Sequence, residues 1–303
     1  MLELIGINLN QARRMVSEKG KIDCPICQNQ AAFFTCKNNC NLFRCGKCGL
    51  VFVYPIVDEY RDIYQKTYLK DKEELQHAGD AEAWEATAET YEKYLRKLEM
   101  HHSEKGRLFD VGSATGLFIE IALKQGWEAS GIEISKKAAE AGAGKGLNIS
   151  YGDFESWQGS KDFEVVTFWD VLEHFLDPEN AIRNARKILK KGGILAINTP
   201  DSKSILMKAM GKHWHHFNPP SHLHYFNIEN LKGLLEKNGF ETIYAGRVGK
   251  KFTLQQISKL LAMWQRISLW KTIYGFLSQS RWGDLKIPIN TRDNLFILAR
   301  KVN

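Results

Sequence analysis

The nine residues Leu108-Phe109-Asp110-Val111-Gly112-Ser113-Ala114-Thr115-Gly116 constrain this chain most, because an apolar strand ends on a carboxylate, enters a turn of small residues and runs on into a helix. Glycines in such a turn let the backbone bend sharply and approach a ligand without a Cβ clash. The carboxylate narrows the choice of ligand. Asp110 would repel a pyrophosphate, and the full G-x-G-x-x-G dinucleotide pattern is absent, with only Gly112 and Gly116 in place. A nucleoside without phosphate suits this edge better.

Three further acids follow at the intervals expected when successive parallel strands each bring one side chain to the same rim of a sheet. Glu133 closes the run Trp127 to Ile132, Asp153 follows Leu147 to Tyr151, and Asp170 follows the strand-like Phe163 to Phe168. An acid about twenty residues past the glycines is placed to take both hydroxyls of a ribose. A row of carboxylates favours an adenosine that carries positive charge. Strand and helix signals alternate over Arg107–Val111, Leu117–Gln125, Trp127–Ile132, Lys136–Lys145, Leu147–Tyr151, Phe163–Phe168, Ala181–Leu189 and Ile194–Asn198. That alternation predicts an α/β fold, a parallel sheet with helices on both faces. Lys190-Lys191-Gly192-Gly193 reads as a helix end with basic charge and a glycine cap.

Over roughly residues 85–245 these elements resemble, in order, the motifs of the class I S-adenosylmethionine (SAM) dependent methyltransferases. The resemblance implies a Rossmann-like seven-stranded sheet whose last two strands, Gly239 to Tyr244 and Asn294 to Ala299, form a hairpin-like pair. It implies that Asp110, Gly112 and Gly116 line the methionine end of SAM, that Glu133 holds the ribose, and that Asp153 with Phe154 reaches the adenine. Asp170 would lie between cofactor and acceptor, and Ser113, Ile134 and Val171 complete the expected cofactor set. Ala114 stands where many members carry a middle glycine.

All six cysteines fall between positions 24 and 48, and the next 255 residues hold none. That is unlike a disulfide framework spread over a secreted fold. Cys24-Pro25-Ile26-Cys27 and Cys45-Gly46-Lys47-Cys48 give the C-x₂-C-x₁₇-C-x₂-C spacing of two zinc knuckles. Cys24, Cys27, Cys45 and Cys48 are the expected ligands, with Cys36 and Cys40 as alternatives for a place. A closed Cys₄ set has no open position, so the zinc is expected to be structural. Three divisions follow: residues 1–55 as an N-terminal segment and zinc ribbon, 56–103 as a helical lid or linker with Tyr60, Tyr64 and Tyr68 at helical spacing, and 104–303 as the methyltransferase domain. A helical insert at about 250–285 is expected to set specificity.

Two segments carry candidate acceptor chemistry. Asp170-Val171-Leu172-Glu173-His174 would place Asp170, Glu173 and His174 around one helical turn, and it resembles an element of ubiquinone-pathway O-methyltransferases that can hold a divalent metal or polarise a hydroxyl. The second is Trp214-His215-His216-Phe217-Asn218-Pro219-Pro220-Ser221-His222-Leu223-His224-Tyr225-Phe226. Histidine suits removal of a hydroxyl proton near neutral pH, and His222 is the first candidate base, ahead of His216, Tyr225 and His174. The knuckles, the core and the P-P-x-H-L-x-Y-F segment together resemble methyltransferases of saccharide and surface-polymer synthesis.

The reading is therefore an enzyme that uses SAM to methylate, at oxygen or carbon, a small hydroxyl-bearing acceptor, a saccharide or nucleotide-sugar. The runner-up is an rRNA base methyltransferase whose ribbon contacts RNA, and the third is a non-catalytic SAM-binding scaffold. Charge is uneven: residues 203–303 hold 16 Lys and Arg against 5 Asp and Glu, within a chain of formal charge +7. A basic last third attracts anionic sugar-linked acceptors, nucleic acid or a membrane surface by the same electrostatics. The N-terminal twenty residues lack a continuous apolar core and no run reaches membrane-span length, which predicts a cytoplasmic location. The oligomeric state has no signature.

Overall fold

A computed structural model describes residues 22–57, 59–60, 81–248, 252–255, 257–258, 268–287 and 293–302. The chain begins with a small antiparallel sheet: β1 (Ile22–Asp23), β2 (Gln30–Lys37), β3 (Cys40–Cys45) and β4 (Val51–Val53). Helix α1 (Ala81–Glu99) precedes β5 (Arg107–Val111), and then α2 (Leu117–Lys124), β6 (Glu128–Glu133), α3 (Lys136–Ala143), β7 (Ile149–Tyr151) and β8 (Phe163–Trp169) alternate. A short 3₁₀ turn, Leu172–His174, leads to α4 (Pro178–Ile188) and β9 (Leu189–Pro200). After α5 (Ile205–Met210) come β10 (His224–Tyr225), α6 (Ile228–Lys237) and β11 (Phe240–Arg247). Among the described residues the chain closes with β12 (Phe252–Thr253), α7 (Ser268–Leu277), β13 (Lys286–Ile287) and β14 (Asn294–Lys301).

Seven strands form the main sheet in the order β11-β14-β9-β8-β5-β6-β7. β5, β6, β7, β8 and β9 run parallel, and β14 is antiparallel to both β9 and β11. The order turns back beside β5, where successive crossovers leave in opposite directions and open a crevice at the carboxyl ends of the strands. Both faces are covered. On one face α1 and α2 bury Tyr94, Leu95, Leu98, Phe118, Ile119 and Ala122. On the other, α4 buries Ala181, Ile182, Ala185 and Ile188, and α6 buries Leu231, Leu234 and Leu235. These spacings are the apolar stripe of a helix laid on a sheet.

The ribbon is not a loose appendage. β10 pairs antiparallel with β4, His224 opposite Phe52 and Tyr225 opposite Val51, so the histidine-rich segment supplies the fifth strand of the small sheet. Cys24, Ile26, Phe43, Leu50 and Phe52 share one apolar core with Phe168, Leu172, Phe226 and the α4 and α6 residues. Two expectations are corrected. Lys190 to Gly193 do not cap a helix: α4 ends at Ile188, Leu189 is already extended, and the four residues open β9. Asp170 does not begin a helix either, since its φ of 52° is left-handed and only Leu172–His174 make a 3₁₀ turn. Tyr64 and Tyr68 lie outside the described residues, as does part of the 250–285 insert. None of the described helices is long and apolar enough to cross a membrane.

Candidate active site

The turn after β5 holds three residues with positive φ: Gly112 at 72°, Ala114 at 51° and Gly116 at 87°. A Cβ on Gly112 would lie 2.6 Å from Val171 Cγ2, and one on Gly116 would overlap Leu147 Cδ1. Glu133, at the tip of β6, pins this turn: its two oxygens accept the Ala114 and Ser135 backbone N–H groups, each at 2.8 Å. Beside it lies an open cleft, about 550 Å³ with the solvent at its mouth included, with Ile132, Ile134, Phe154 and Phe175 as apolar walls. Glu133, Asp153, Glu155 and His174 are its polar groups. An apolar slot with a few convergent polar groups is the usual form of a small-molecule site.

Gly112 and Val171 also line this cleft, and Ser113 is buried in the turn between them and Ala114. Asp153 turns its Oδ1 to the Glu155 N–H at 2.9 Å, which fixes the lip of the cleft. Asp110 sits deeper. It is buried behind the cleft wall, takes a hydrogen bond from Thr167 Oγ1 at 2.6 Å, and burial pushes its carboxyl up to about 8. Asp170 is held from two sides, its N–H donating to the Asn198 carbonyl at 2.9 Å and its Oδ1 accepting from Asn198 Nδ2 at 2.6 Å. Tyr94 of α1 donates to Asn198 Oδ1 at 2.9 Å, so the helix is tied to the same point.

The histidines form a file beside the cleft. His174 lines it, with Nδ1 2.6 Å from the Ser221 carbonyl. The His222 ring lies 4.7 Å from that of His174, edge to face, with Nδ1 2.9 Å from the His216 carbonyl. His216 stacks 6.2 Å beyond. A carbonyl accepts only from an N–H, so Nδ1 carries the proton in both His174 and His222, and in neutral His222 Nε2 keeps its lone pair. Burial lowers the His174 imidazole to about 4 and drives that of His222 well below its usual range. Both rings are neutral at pH 7. Tyr225 is not in this file: its hydroxyl donates to the His222 carbonyl at 2.9 Å and its ring is fully buried with Phe217 and Trp214. Glu173 also faces inward, accepting the Thr199 hydroxyl at 2.8 Å. Glu173, His174 and His222 bring potential ligand atoms within 4.8 Å of one another, and Asp170 is not in that group.

The four expected thiols converge. Cys24 and Cys48 Sγ are 3.6 Å apart, Cys27 and Cys45 Sγ 3.5 Å, and all four lie within 4.8 Å of one another. The edge of a tetrahedron with zinc–sulfur bonds of about 2.3 Å is about 3.8 Å, so the set fits that ion. Cys36 is exposed on β2, and Cys40 is buried against the Tyr60 hydroxyl at 3.8 Å. Neither joins the cluster.

Sequence reasoning misses Thr167, Asn198, Tyr94 and Asp293. The first three support candidate acids from neighbouring strands or α1, and nothing local in the sequence marks them. Asp293, 5 % exposed, meets the histidine turn from a point more than seventy residues on.

With this geometry in view, comparisons with known proteins agree on the fold. Ubiquinone biosynthesis O-methyltransferase of Caulobacter vibrioides is 35 % identical over 100 residues, 30 % of this chain and 40 % of that protein. The enzyme of the same name from Coxiella burnetii is 30 % identical over 113 residues, 35 % of this chain and 48 % of that one. The chain thus spans about half or less of the curated relatives it matches. Among solved structures, 1,6-didemethyltoxoflavin-N1-methyltransferase of Burkholderia thailandensis aligns with a TM-score of 0.52 at 13 % identity, covering 90 % of this chain and all of that one. A SAM-dependent methyltransferase of Archaeoglobus fulgidus aligns with a TM-score of 0.50 at 18 % identity, covering 71 % and 94 %. The model of a methyltransferase-domain family matches residues 83–245, more than half of the chain. The chain therefore belongs to that methyltransferase-domain family, and its architecture is that of the class I SAM-dependent methyltransferases.

Proposed function

We propose that this protein transfers a methyl group from SAM to a hydroxyl of a small acceptor. The observation that carries the reading is Glu133, a buried carboxylate at the tip of β6 that pins the glycine turn on one side and borders an apolar cleft on the other. In this reading Glu133 takes the ribose, Asp153 and Phe154 the adenine, and Gly112, Ser113 and Gly116 leave room for the methionine end, with Asp110 behind them. Ile134 and Val171 line the same cleft, and in this reading Asp170 stands between cofactor and acceptor. SAM, when bound, supplies an already activated methyl group. What remains for the chain is alignment and exclusion of water, which in favourable cases lowers barriers by roughly 7–11 kcal/mol.

His222 is the base of this proposal. Its Nδ1 is committed to a backbone carbonyl, which aims the unprotonated Nε2 elsewhere and fixes the tautomer that can receive a proton. His174 and His216 flank it and orient it, and Tyr225 holds its carbonyl from behind. We assign zinc to Cys24, Cys27, Cys45 and Cys48 as a structural ion that holds the ribbon to the main sheet. A saccharide or nucleotide-sugar acceptor is favoured by the basic last third. A phenolic acceptor is the second reading, favoured by the curated relatives, whose names specify O-methylation in ubiquinone biosynthesis.

S-adenosylhomocysteine release across a panel of nucleotide-sugars, glycans and catechol-type phenols tests both. Turnover with a hydroxyl acceptor, slowed about a hundredfold or more by His222→Ala with SAM affinity unchanged, is the expected result. Equal loss of turnover and SAM affinity would reject the base, and failure of the wild-type protein to bind SAM would reject the whole reading.

A further inference from the structure

A further group of metal-ligating side chains lies outside both the ribbon and the Glu173, His174 and His222 group, and uses a residue no sequence motif marks. His215 Nε2 is 3.4 Å from Asp293 Oδ2, and His216 Nε2 is 3.5 Å from the same oxygen, with all three ligand atoms within 4.8 Å of one another. Two features build this arrangement. His215 and His216 are the central residues of a turn closed by the Phe217 N–H on the Trp214 carbonyl at 3.0 Å, which brings adjacent side chains to one side, ring centroids 4.1 Å apart. Trp214, fully buried, meets both rings edge to face at 6.2 and 5.0 Å and backs the pair. Asp293 immediately precedes β14, and its carbonyl accepts the Asp201 N–H at 2.7 Å, so the main sheet holds the carboxylate.

As an ion pair this arrangement is poor. It would set two imidazolium rings against each other, sharing one carboxylate oxygen at distances well beyond the roughly 2.9 Å of an N–H···O bond. The same distances suit a metal, because donors around a four-coordinate ion with bonds of about 2.1 Å are about 3.4 Å apart. We propose that His215, His216 and Asp293 bind a divalent transition ion of the Zn²⁺ class. Two imidazoles and a carboxylate select such an ion over Mg²⁺ or Ca²⁺, which prefer oxygen ligands throughout. Three protein donors leave a fourth position for water or an oxygen of a small molecule, which sets this site apart from the closed four-thiol cluster. The site also adjoins the cleft through the file His216, His222 and His174.

Metal counting tests this directly. The full-length protein, equilibrated with Zn²⁺ and passed through a desalting column, is expected to hold two equivalents by atomic emission. Asp293→Asn and His215→Gln are each expected to weaken the second equivalent at least about tenfold while leaving the first. Cobalt gives the readout that does not depend on how well the variants fold: the wild-type protein with two Co²⁺ should show a thiolate charge-transfer band for one ion and only weak d–d bands for the other. One equivalent in the wild-type protein at saturating Zn²⁺ would overturn the proposal, as would a second equivalent whose affinity is unchanged in both variants.

Discussion

At the residue scale, the turn between β5 and α2 carries both the clearest signal in the sequence and a measurable strain. Ala114 adopts a φ of 51°, a conformation that costs a residue bearing a Cβ roughly 1–2 kcal/mol. Ala114→Gly is therefore expected to raise stability by about 1 kcal/mol in urea unfolding, the reverse of the usual effect of introducing glycine. Asp110 makes a pH prediction. Its carboxyl is raised from 3.8 to about 8, so the folded state holds a proton that the unfolded chain releases. That contribution to stability is complete below about pH 4 and is lost as the pH climbs to about 8. A cation bound nearby favours the ionised carboxyl, so SAM affinity should rise as the pH climbs toward about 8, and binding below that pH should expel a proton. Titration calorimetry in two buffers of different ionisation heat checks this, and Asp110→Asn should bind with little pH dependence. The sequence marks these positions because glycines and strand-tip acids are local signals. It does not mark Asn198 or Thr167, whose roles arise only when separate strands become neighbours.

At the scale of elements, β10 connects two parts of the molecule that the sequence keeps 170 residues apart. It pairs with β4 of the ribbon, and α6 behind it turns Asn227 and Asn230 Nδ2 to the Cys48 carbonyl at 3.2 and 3.4 Å. Removal of metal by a chelator, or Cys24→Ser, is expected to release the ribbon and with it the amide protection of His224 and Tyr225, read by hydrogen exchange. Protection that survives at β10 would contradict this linkage. Burial also holds His224 down at about 4. Its folded-state value lies below its unfolded one, so its contribution to stability is present above about pH 6.5 and is lost as the pH falls toward 4. The four-thiol spacing and the strand Leu50 to Tyr54 are legible in the sequence, but a two-residue strand inside a histidine-rich segment is too short to show a period. The same limit explains the 3₁₀ turn at Leu172–His174, where a charged pattern at helical spacing yields to the left-handed Asp170 before it.

On the scale of the whole molecule, alternating strand and helix signals foretell the parallel sheet because each βαβ unit has one favoured handedness and buries its strands on both faces. They do not foretell how the ribbon meets it. Phe43, Leu50 and Phe52 lie in one apolar cluster with the α4 and α6 face of the main sheet, so no solvent-filled boundary separates the two. Scanning calorimetry of the metal-loaded protein is accordingly expected to give one cooperative transition, and two resolved transitions would show that the ribbon unfolds by itself.

One short span of backbone, from the histidine turn to β10, thus answers to the ribbon at one end and to the cleft at the other. Should zinc sit on the four thiols and an acceptor steady His222, reciprocity would govern the tie: whatever factor the acceptor added to retention of the metal, the metal would add to the hold on the acceptor.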